Sequence, residues 1–256
     1  MSEDPPAVMR RVGHVAVITL NRPHAMNAIN AAMSVAVEEG IDELIADPEL
    51  RVGVLTGAGR AFSAGADLKE LAAGRPLITR EQRERGFGGF VQRRVAKPLI
   101  AAVNGYALGG GTELMLACDL AVMSEKATLG LPEVRRGIIA AGGGLLRLAR
   151  RIPLAIALEA ILTGAPITAE EALRLGLVNR VVPEADVLDT ALELANLIAQ
   201  NAPLAVQASK HVVYEDLTPE AWAVSNQAIR EVLKSEDAKE GPRAFAEKRE
   251  PSWKGR

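Results

Sequence analysis

The chain has 256 residues, a formal net charge of -2 at pH 7 and a pI near 6.0, which argues against a nucleic-acid-binding surface, whose usual footprint is a basic domain. Hydrophobic residues make up 48% and aromatic ones 3%, so aliphatic and alanine packing must carry a core that a chain of this length closes in one domain, with or without a docked helical tail. No apolar stretch approaches the roughly 18 residues of a spanning helix, the acidic, proline-containing start MSEDPPAVMRR lacks the charge pattern of a leader, and the one cysteine, Cys118, excludes an internal disulfide and fits a reducing, cytoplasmic setting.

Val8 to Val12 and His14 to Leu20 read as two β runs joined at Gly13, an opening hairpin. Asn21-Arg22-Pro23 breaks the pattern. Ile29, Met33, Ala36, Val37, Ile41, Leu44 and Ile45 then recur at helical spacing up to Asp47-Pro48. Val52 to Thr56 is a further β run, and Gly57-Ala58-Gly59-Arg60 turns the chain into AFSAGADL at Ala61 to Leu68, with a helix predicted from Asp67 to Ala73. The polar stretch Thr79 to Ala96, with Gly86, Gly88 and Gly89 in its middle, reads as one or two loosely packed helices around a glycine patch.

The stretch from Leu99 to Ser124 organises the rest. Leu99 to Val103 is a short buried strand, Asn104-Gly105 a turn, and Gly109-Gly110-Gly111 lead straight into the helix formers Thr112 to Ala117. Glycine at such a joint lets a ligand approach the main chain, and a helix N-terminus presents N–H groups without intrahelical acceptors. An N–H here and one near Ala64 can stabilise an oxygen that gains negative charge. Glu113 follows the middle glycine by three residues, where a carboxylate also serves as a dipole partner or capping-box residue. Thr128 to Leu131 precedes Pro132-Glu133, the second carboxylate of interest, and Gly142-Gly143-Gly144 opens another helix at Leu145 to Arg151. Cys118 has no basic neighbour in sequence and reads as a buried structural thiol; no Cys/His cluster suggests a metal site, and no G-x-G-x-x-G or P-loop pattern suggests a nucleotide fold. Helical patterns run over Leu154 to Leu162, Ala169 to Leu175, Val187 to Gln200, Leu204 to Tyr214 and Pro219 to Lys234, with a strand at Val178 to Val182. The arginines Arg147, Arg150 and Arg151 read as an exposed face paired with acids.

AFSAGADL at Ala61 to Leu68, NGYALGGGTEL at Asn104 to Leu114 and LPEVRRGI at Leu131 to Ile138, with LNRPHAMNAI at Leu20 to Ile29, LTGAPITAEEALRLGLVNRVV at Leu162 to Val182 and EGPRAFAEKREPSW at Glu240 to Trp253, resemble the enoyl-CoA hydratase/isomerase, or crotonase, family. The resemblance implies an α/β fold, a crotonase-like spiral of repeated ββα units over residues 1–195, with a C-terminal α-helical region over 196–256 that serves trimerisation and the coenzyme A site. It implies a homotrimer or dimer of trimers, acyl-CoA thioester substrates, and no cofactor beyond the coenzyme A carried by the substrate. By family position Glu113 and Glu133 are the catalytic pair, and the N–H groups of Ala64 and Gly110 form the oxyanion hole. Coenzyme A passes Ala64, Ala66, Asp67 and Leu68; His24 stands where many members have a basic residue, and Phe245 and Lys248 match positions that reach a neighbouring subunit's nucleotide. The apolar positions Ala191, Leu192, Ala195 and Ile198 are expected to serve the three-fold contact.

Water addition to a 2-enoyl thioester needs a base for the water proton, an acid for the α-carbon and donors for the enolate oxygen, tasks that two buried carboxylates sharing one proton can divide. Ala140-Ala141 and Arg135-Arg136 depart from the common hydratase pattern just after Glu133, at positions that bear on acyl preference. The expected activity is therefore an enoyl-CoA hydratase, with a Δ3,Δ2-enoyl-CoA isomerase or specialised acyl-CoA dehydratase as alternatives, and a non-catalytic RNA- or acyl-CoA-binding member as a third that the acidic pI and intact pair disfavour.

Overall fold

The computed structural model describes residues 4–201, 203–214, 230, 233–234 and 236–249. β1 (Ala7–Val12) and β2 (Val15–Leu20) form the expected antiparallel hairpin. From there β3 (Val52–Gly57), β5 (Leu99–Val103), β7 (Leu120–Ser124) and β10 (Arg180–Val182) join β2 in parallel, giving a six-stranded sheet in the order β1-β2-β3-β5-β7-β10. A second, four-stranded sheet runs β4 (Ala61–Ser63), β6 (Tyr106–Leu108), β8 (Thr128–Gly130) and β9 (Ile167–Thr168), parallel except at β9. Each turn of chain thus lays one strand in the first sheet and the next in the second before entering a helix. β3-β4 leads to α2 (Leu68–Ala72), β5-β6 to α3 (Gly110–Ala117), and β7-β8 to a 3₁₀ turn at Pro132–Arg136. This is the spiral of ββα units that the resemblance implies.

The inner strands are buried on both faces, as parallel strands covered by helices should be. α1 (Ala31–Ala46), capped by Asn30 accepting from the Met33 N–H at 2.9 Å, covers one side with α3. The other side is covered by α7 (Val187–Ala199), whose Val187, Ala191, Ala195 and Ala199 are buried against β2, β3, β5 and β7. Of the apolar positions expected at a three-fold contact, Ala191 and Ala195 are instead buried within the chain, while Leu192 and Ile198 are partly buried against the same cluster. A domain boundary at 195 also falls inside this helix. The predicted helix at Pro219 to Lys234 lies outside the described residues apart from Arg230, Leu233 and Lys234, and the tail from residue 250 is likewise outside them.

The stretch 79–96 forms turns and one 3₁₀ turn, Phe87–Gly89, instead of helices. Gly86, Gly88 and Gly89 sit at φ +77°, +63° and +75°, which a right-handed helix does not admit. Nor is the stretch loose: Gln82 and Arg85 donate to Glu38 on α1, Arg85 and Arg93 to Asp42, and Phe90 and Val91 are buried in the core.

Candidate active site

The site forms where the second-sheet strands hand over to their helices. Thr112 ties the start of α3 to both neighbours, its hydroxyl donating to the Ala107 carbonyl at 2.6 Å and accepting from the Gly130 N–H at 3.0 Å. A Cβ on Gly65 would stand 2.7 Å from the Gly110 nitrogen, so the 64–66 turn and the triple-glycine turn lie in direct contact. A Cβ on Gly110 would stand 2.4 Å from the Phe87 ring, which closes over the turn.

The hydrogen bonds of the first turn decide which N–H groups are available. Met26 and Asn27 both adopt left-handed φ, +51° and +55°. The Asn27 amide fixes them, donating to the carbonyls of Ala58 and Ala61 at 2.9 and 2.8 Å and accepting from the Arg22 N–H at 2.9 Å. In this setting the Ala64 N–H donates to the Met26 carbonyl at 2.9 Å. Ala64 is therefore not available as an oxyanion donor, contrary to the sequence expectation. Two residues on, Ile29 bridges the strip, donating to the Gly65 carbonyl at 2.7 Å and accepting from the Asp67 N–H at 2.9 Å. That pattern skips Ala66, whose N–H makes no hydrogen bond among the described residues, and Gly110 as the first residue of α3 has no intrahelical acceptor. The uncommitted pair is Ala66 and Gly110.

Glu113, in the first turn of α3, is 4% exposed. Its carboxylate accepts from the Gly144 N–H at 2.9 Å and from the Gly142 N–H, both at the entry of α4 (Gly144–Arg151). Burial pushes its pKa up, while these two donors and the Arg147 guanidinium pull it back. Glu133 lies in the 3₁₀ turn, with one carboxylate oxygen 3.0 Å from where a Gly109 Cβ would be and the other, Oε2, buried without a hydrogen-bond partner among the described residues. Its pKa is pushed up by burial first and by the Glu113 charge second, opposed by its own N–H. The two carboxyls are thus unequal. Glu113 is equipped to carry charge, and Glu133 to keep a proton.

The Glu133 turn is fastened from outside. Arg135 donates to the Thr163 carbonyl at the end of α5 (Leu154–Thr163) at 2.7 Å, and Arg136 stacks over the Phe245 ring at 4.9 Å. Phe245 belongs to α9 (Glu236–Ala246), which packs on α2 and on this turn, so its ring lies against Arg136 of the same chain. Lys248 is exposed just beyond it, and His24 is exposed on the Pro23–Ala25 turn. Along the strip where the resemblance places coenzyme A, Ala64, Ala66 and Leu68 are partly exposed in alternation with buried neighbours. Asp67 caps α2 through the Lys69 and Glu70 N–H groups and is held by Arg22 at 3.1 Å, leaving its carboxylate a structural part. Sequence reasoning missed Arg22, Asn27 and Phe87, and misplaced Arg147. The last is half-buried, not exposed, donating to the carbonyls of Val91 and Gly142 at 2.5 and 3.4 Å. Cys118 is buried, its thiol pushed up to about 12 by burial, as expected of a structural residue.

A cavity of about 490 Å³ lies at the other end of α3, lined by Leu116, Asp119, Arg147, Lys210 and Tyr214 among others; neither glutamate lines it. Among the described residues no group of three or more His, Cys, Asp or Glu is arranged to hold a metal ion, and no helix is long and apolar enough to cross a membrane.

Comparison with known proteins agrees with this geometry. Carnitinyl-CoA dehydratase of Salmonella enteritidis is 46% identical over 260 residues, covering 97% of this chain and 98% of that protein. A solved carnitinyl-CoA hydratase from Mycobacterium avium has a TM-score of 0.95 at 51% identity, covering 99% of this chain and 100% of the other. A solved enoyl-CoA hydratase from Mycobacterium tuberculosis has a TM-score of 0.80 at 46% identity with the same coverage. Residues 10–256 match the model of the enoyl-CoA hydratase/isomerase family, and with its two-sheet spiral and paired glutamates the chain belongs to that family.

Proposed function

We propose that the protein is a hydro-lyase acting on acyl-CoA thioesters, adding water across the 2,3 double bond of a 2-enoyl-CoA or removing it from the 3-hydroxyacyl-CoA. The observation that carries this is the inequality of the two buried carboxyls: Glu113 holds two main-chain donors, while Glu133 Oε2 has none. In the hydration direction Glu113 takes a proton from water as the oxygen attacks C3, and Glu133 gives its proton to C2. The thioester oxygen, which gains enolate charge between these events, is met by the N–H groups of Ala66 and Gly110. After one turnover Glu113 holds a proton and Glu133 has lost one, and transfer between the pair or with solvent resets the site. The steps are C–O bond formation at C3 and proton transfers, with no net oxidation or reduction, so coenzyme A enters as part of the substrate and the reading calls for no metal or redox cofactor. Coenzyme A is expected along Ala64, Ala66 and Leu68, with Phe245 and Lys248 of the same chain near its entry.

The relatives' names widen the substrate question, since some are carnitinyl-CoA dehydratases and others enoyl-CoA hydratases. A turnover screen over straight-chain 2-enoyl-CoA, 3-enoyl-CoA and carnitinyl-CoA thioesters, with water addition or loss and double-bond migration read separately, tests the reading. Hydration or dehydration of at least one thioester is expected. Double-bond migration alone would replace the reading with an isomerase. The reading includes action in the cytoplasm, in keeping with the single buried thiol. It also includes self-association into a trimer or a dimer of trimers, supported by Leu154, Leu158 and Leu162, which are exposed four residues apart along α5.

A further inference from the structure

Arg147 is a half-buried charged side chain, and its surroundings say what it holds. It sits one turn into α4, the helix whose entry holds Glu113. Its guanidinium donates to the Gly142 carbonyl at 3.4 Å, and the N–H of that same Gly142 donates to Glu113. A second arm donates to Val91 at 2.5 Å, at the end of the glycine-rich stretch that carries Phe87. The Gly142–Gly144 turn is therefore gripped on one side by Arg147 and on the other by the catalytic carboxylate. It has no slack: a Cβ on Gly142 would stand 2.7 Å from Glu113 Oε2, and one on Gly144 3.1 Å from Oε1.

We propose that Arg147 is a positioning residue of the hydration reaction, holding the Gly142–Gly144 turn against Glu113 and supplying the positive charge that keeps Glu113, rather than Glu133, ionised. The groups acting on this pair come from several elements. Glu113 faces Glu133 from the 3₁₀ turn, Arg147 from α4 and the two glycine N–H groups. Arg147 faces Arg151 on its own helix, Glu113 and Cys118 at the two ends of α3, and Tyr214 after α8 (Pro203–Val213). Arg151 opposes the Arg147 charge, and Glu113 supports it. The Arg147 charge acts on Glu113 across the turn and favours its ionised form. Without it two carboxyls in one buried site compete for one proton on nearly equal terms, and the wrong partner holds it for part of the time.

The inference rests on the hydro-lyase reading, and the experiment keeps the two apart: absence of hydration in the wild type defeats the reading before any variant is compared. Given hydration, kcat is followed against pH in Arg147→Gln, Arg147→Met and Arg147→Lys, each checked for folding by circular dichroism and oligomeric state. Gln and Met remove the charge with a polar and an apolar side chain; Lys keeps it. In the uncharged variants the acid limb of kcat should move to higher pH by about one pH unit, the lower end of what a neighbouring opposite charge does to a carboxyl, with kcat at neutral pH down by roughly 10-fold. Arg147→Lys should return the limb to its wild-type place. A limb that stays put in a folded uncharged variant overturns the proposal, as does a Lys variant that shifts as far as the uncharged ones. Failure of both uncharged variants to fold would also overturn it, by assigning Arg147 to stability.

Discussion

Gly142→Ala is a one-carbon change whose consequence can be worked out from the site. Gly142 carries no left-handed φ, so the added methyl group costs nothing in backbone conformation. Its position is 2.7 Å from Glu113 Oε2 and 2.9 Å from the carboxyl carbon, several tenths of an ångström inside ordinary contact. The atom in the way is an oxygen of the carboxylate proposed as the base. The carboxylate must swing aside, loosening its bonds to the Gly142 and Gly144 N–H groups, or the turn must retreat against Arg147. Overpacking of this kind costs about 1–3 kcal/mol of stability. A displacement approaching 1 Å in a reacting group costs on the order of 100-fold in rate. Hydration kcat should therefore fall by roughly 100-fold while KM for the thioester changes little, because the coenzyme strip lies elsewhere. Gly144→Ala, with contacts of 3.0 Å to Leu131 and 3.1 Å to Glu113, should show a smaller loss. In a Glu113→Gln background the kinetic loss from Gly142→Ala should nearly vanish, whereas the loss in Tm should persist. Steady-state kinetics and thermal melts on the wild type and these four variants suffice. A folded Gly142→Ala with wild-type kcat would refute the claim that this carboxylate works from its observed position.

Replacing single main-chain amides by esters should separate the two alanines of the 64–66 turn. An ester at 66 removes an uncommitted N–H and should lower kcat by roughly 100- to 1000-fold, whereas an ester at 64 removes the bond to Met26 and should cost about 1 kcal/mol of stability with kcat kept. The reverse result would return the oxyanion role to Ala64. For Glu133 the folded pKa lies above the unfolded one, so the folded state binds the extra proton and stability is lost as pH rises through the raised value. Glu133→Gln cannot ionise, so its Tm should fall less than the wild type's as pH rises from about 4.5 to about 8; an equal fall would show that the carboxyl is not kept neutral by the fold. Leu158→Asp, on the exposed α5 row, should shift sedimentation toward monomer. An unchanged association state would move the contact away from α5.

Much of the fold could be read from local pattern. The β1-β2 hairpin, α1 and the strand-glycine-helix joint at α3 are set by alternation, helical spacing and glycine, which act within a few residues. The glutamates were found because they follow such joints and match the family's motifs. What escaped the sequence depends on contacts between distant segments. Alternation offers both Ala64 and Ala66 as donors, and only the crossing of Met26 and Ile29 decides which N–H is taken. The polar stretch 79–96 has helix-forming composition, but three left-handed glycines and ion pairs to Glu38 and Asp42 override it. Arg147 sits in an arginine-rich run that reads as surface, and its half-buried place follows from the packing of α4 on α3, which no local window contains.

The central claim is that two glutamates with unequal surroundings act as one unit. The most direct test is kcat for hydration in Glu113→Gln, Glu133→Gln and the double variant, with thioester binding measured alongside. Each single variant should lose at least roughly 100-fold in kcat, the lower end for acid–base catalysis, with binding retained. The double variant should be little worse than the poorer single one, because the pair shares its protons. Near wild-type hydration in either single variant would contradict the account and leave the other carboxylate as the sole catalytic group.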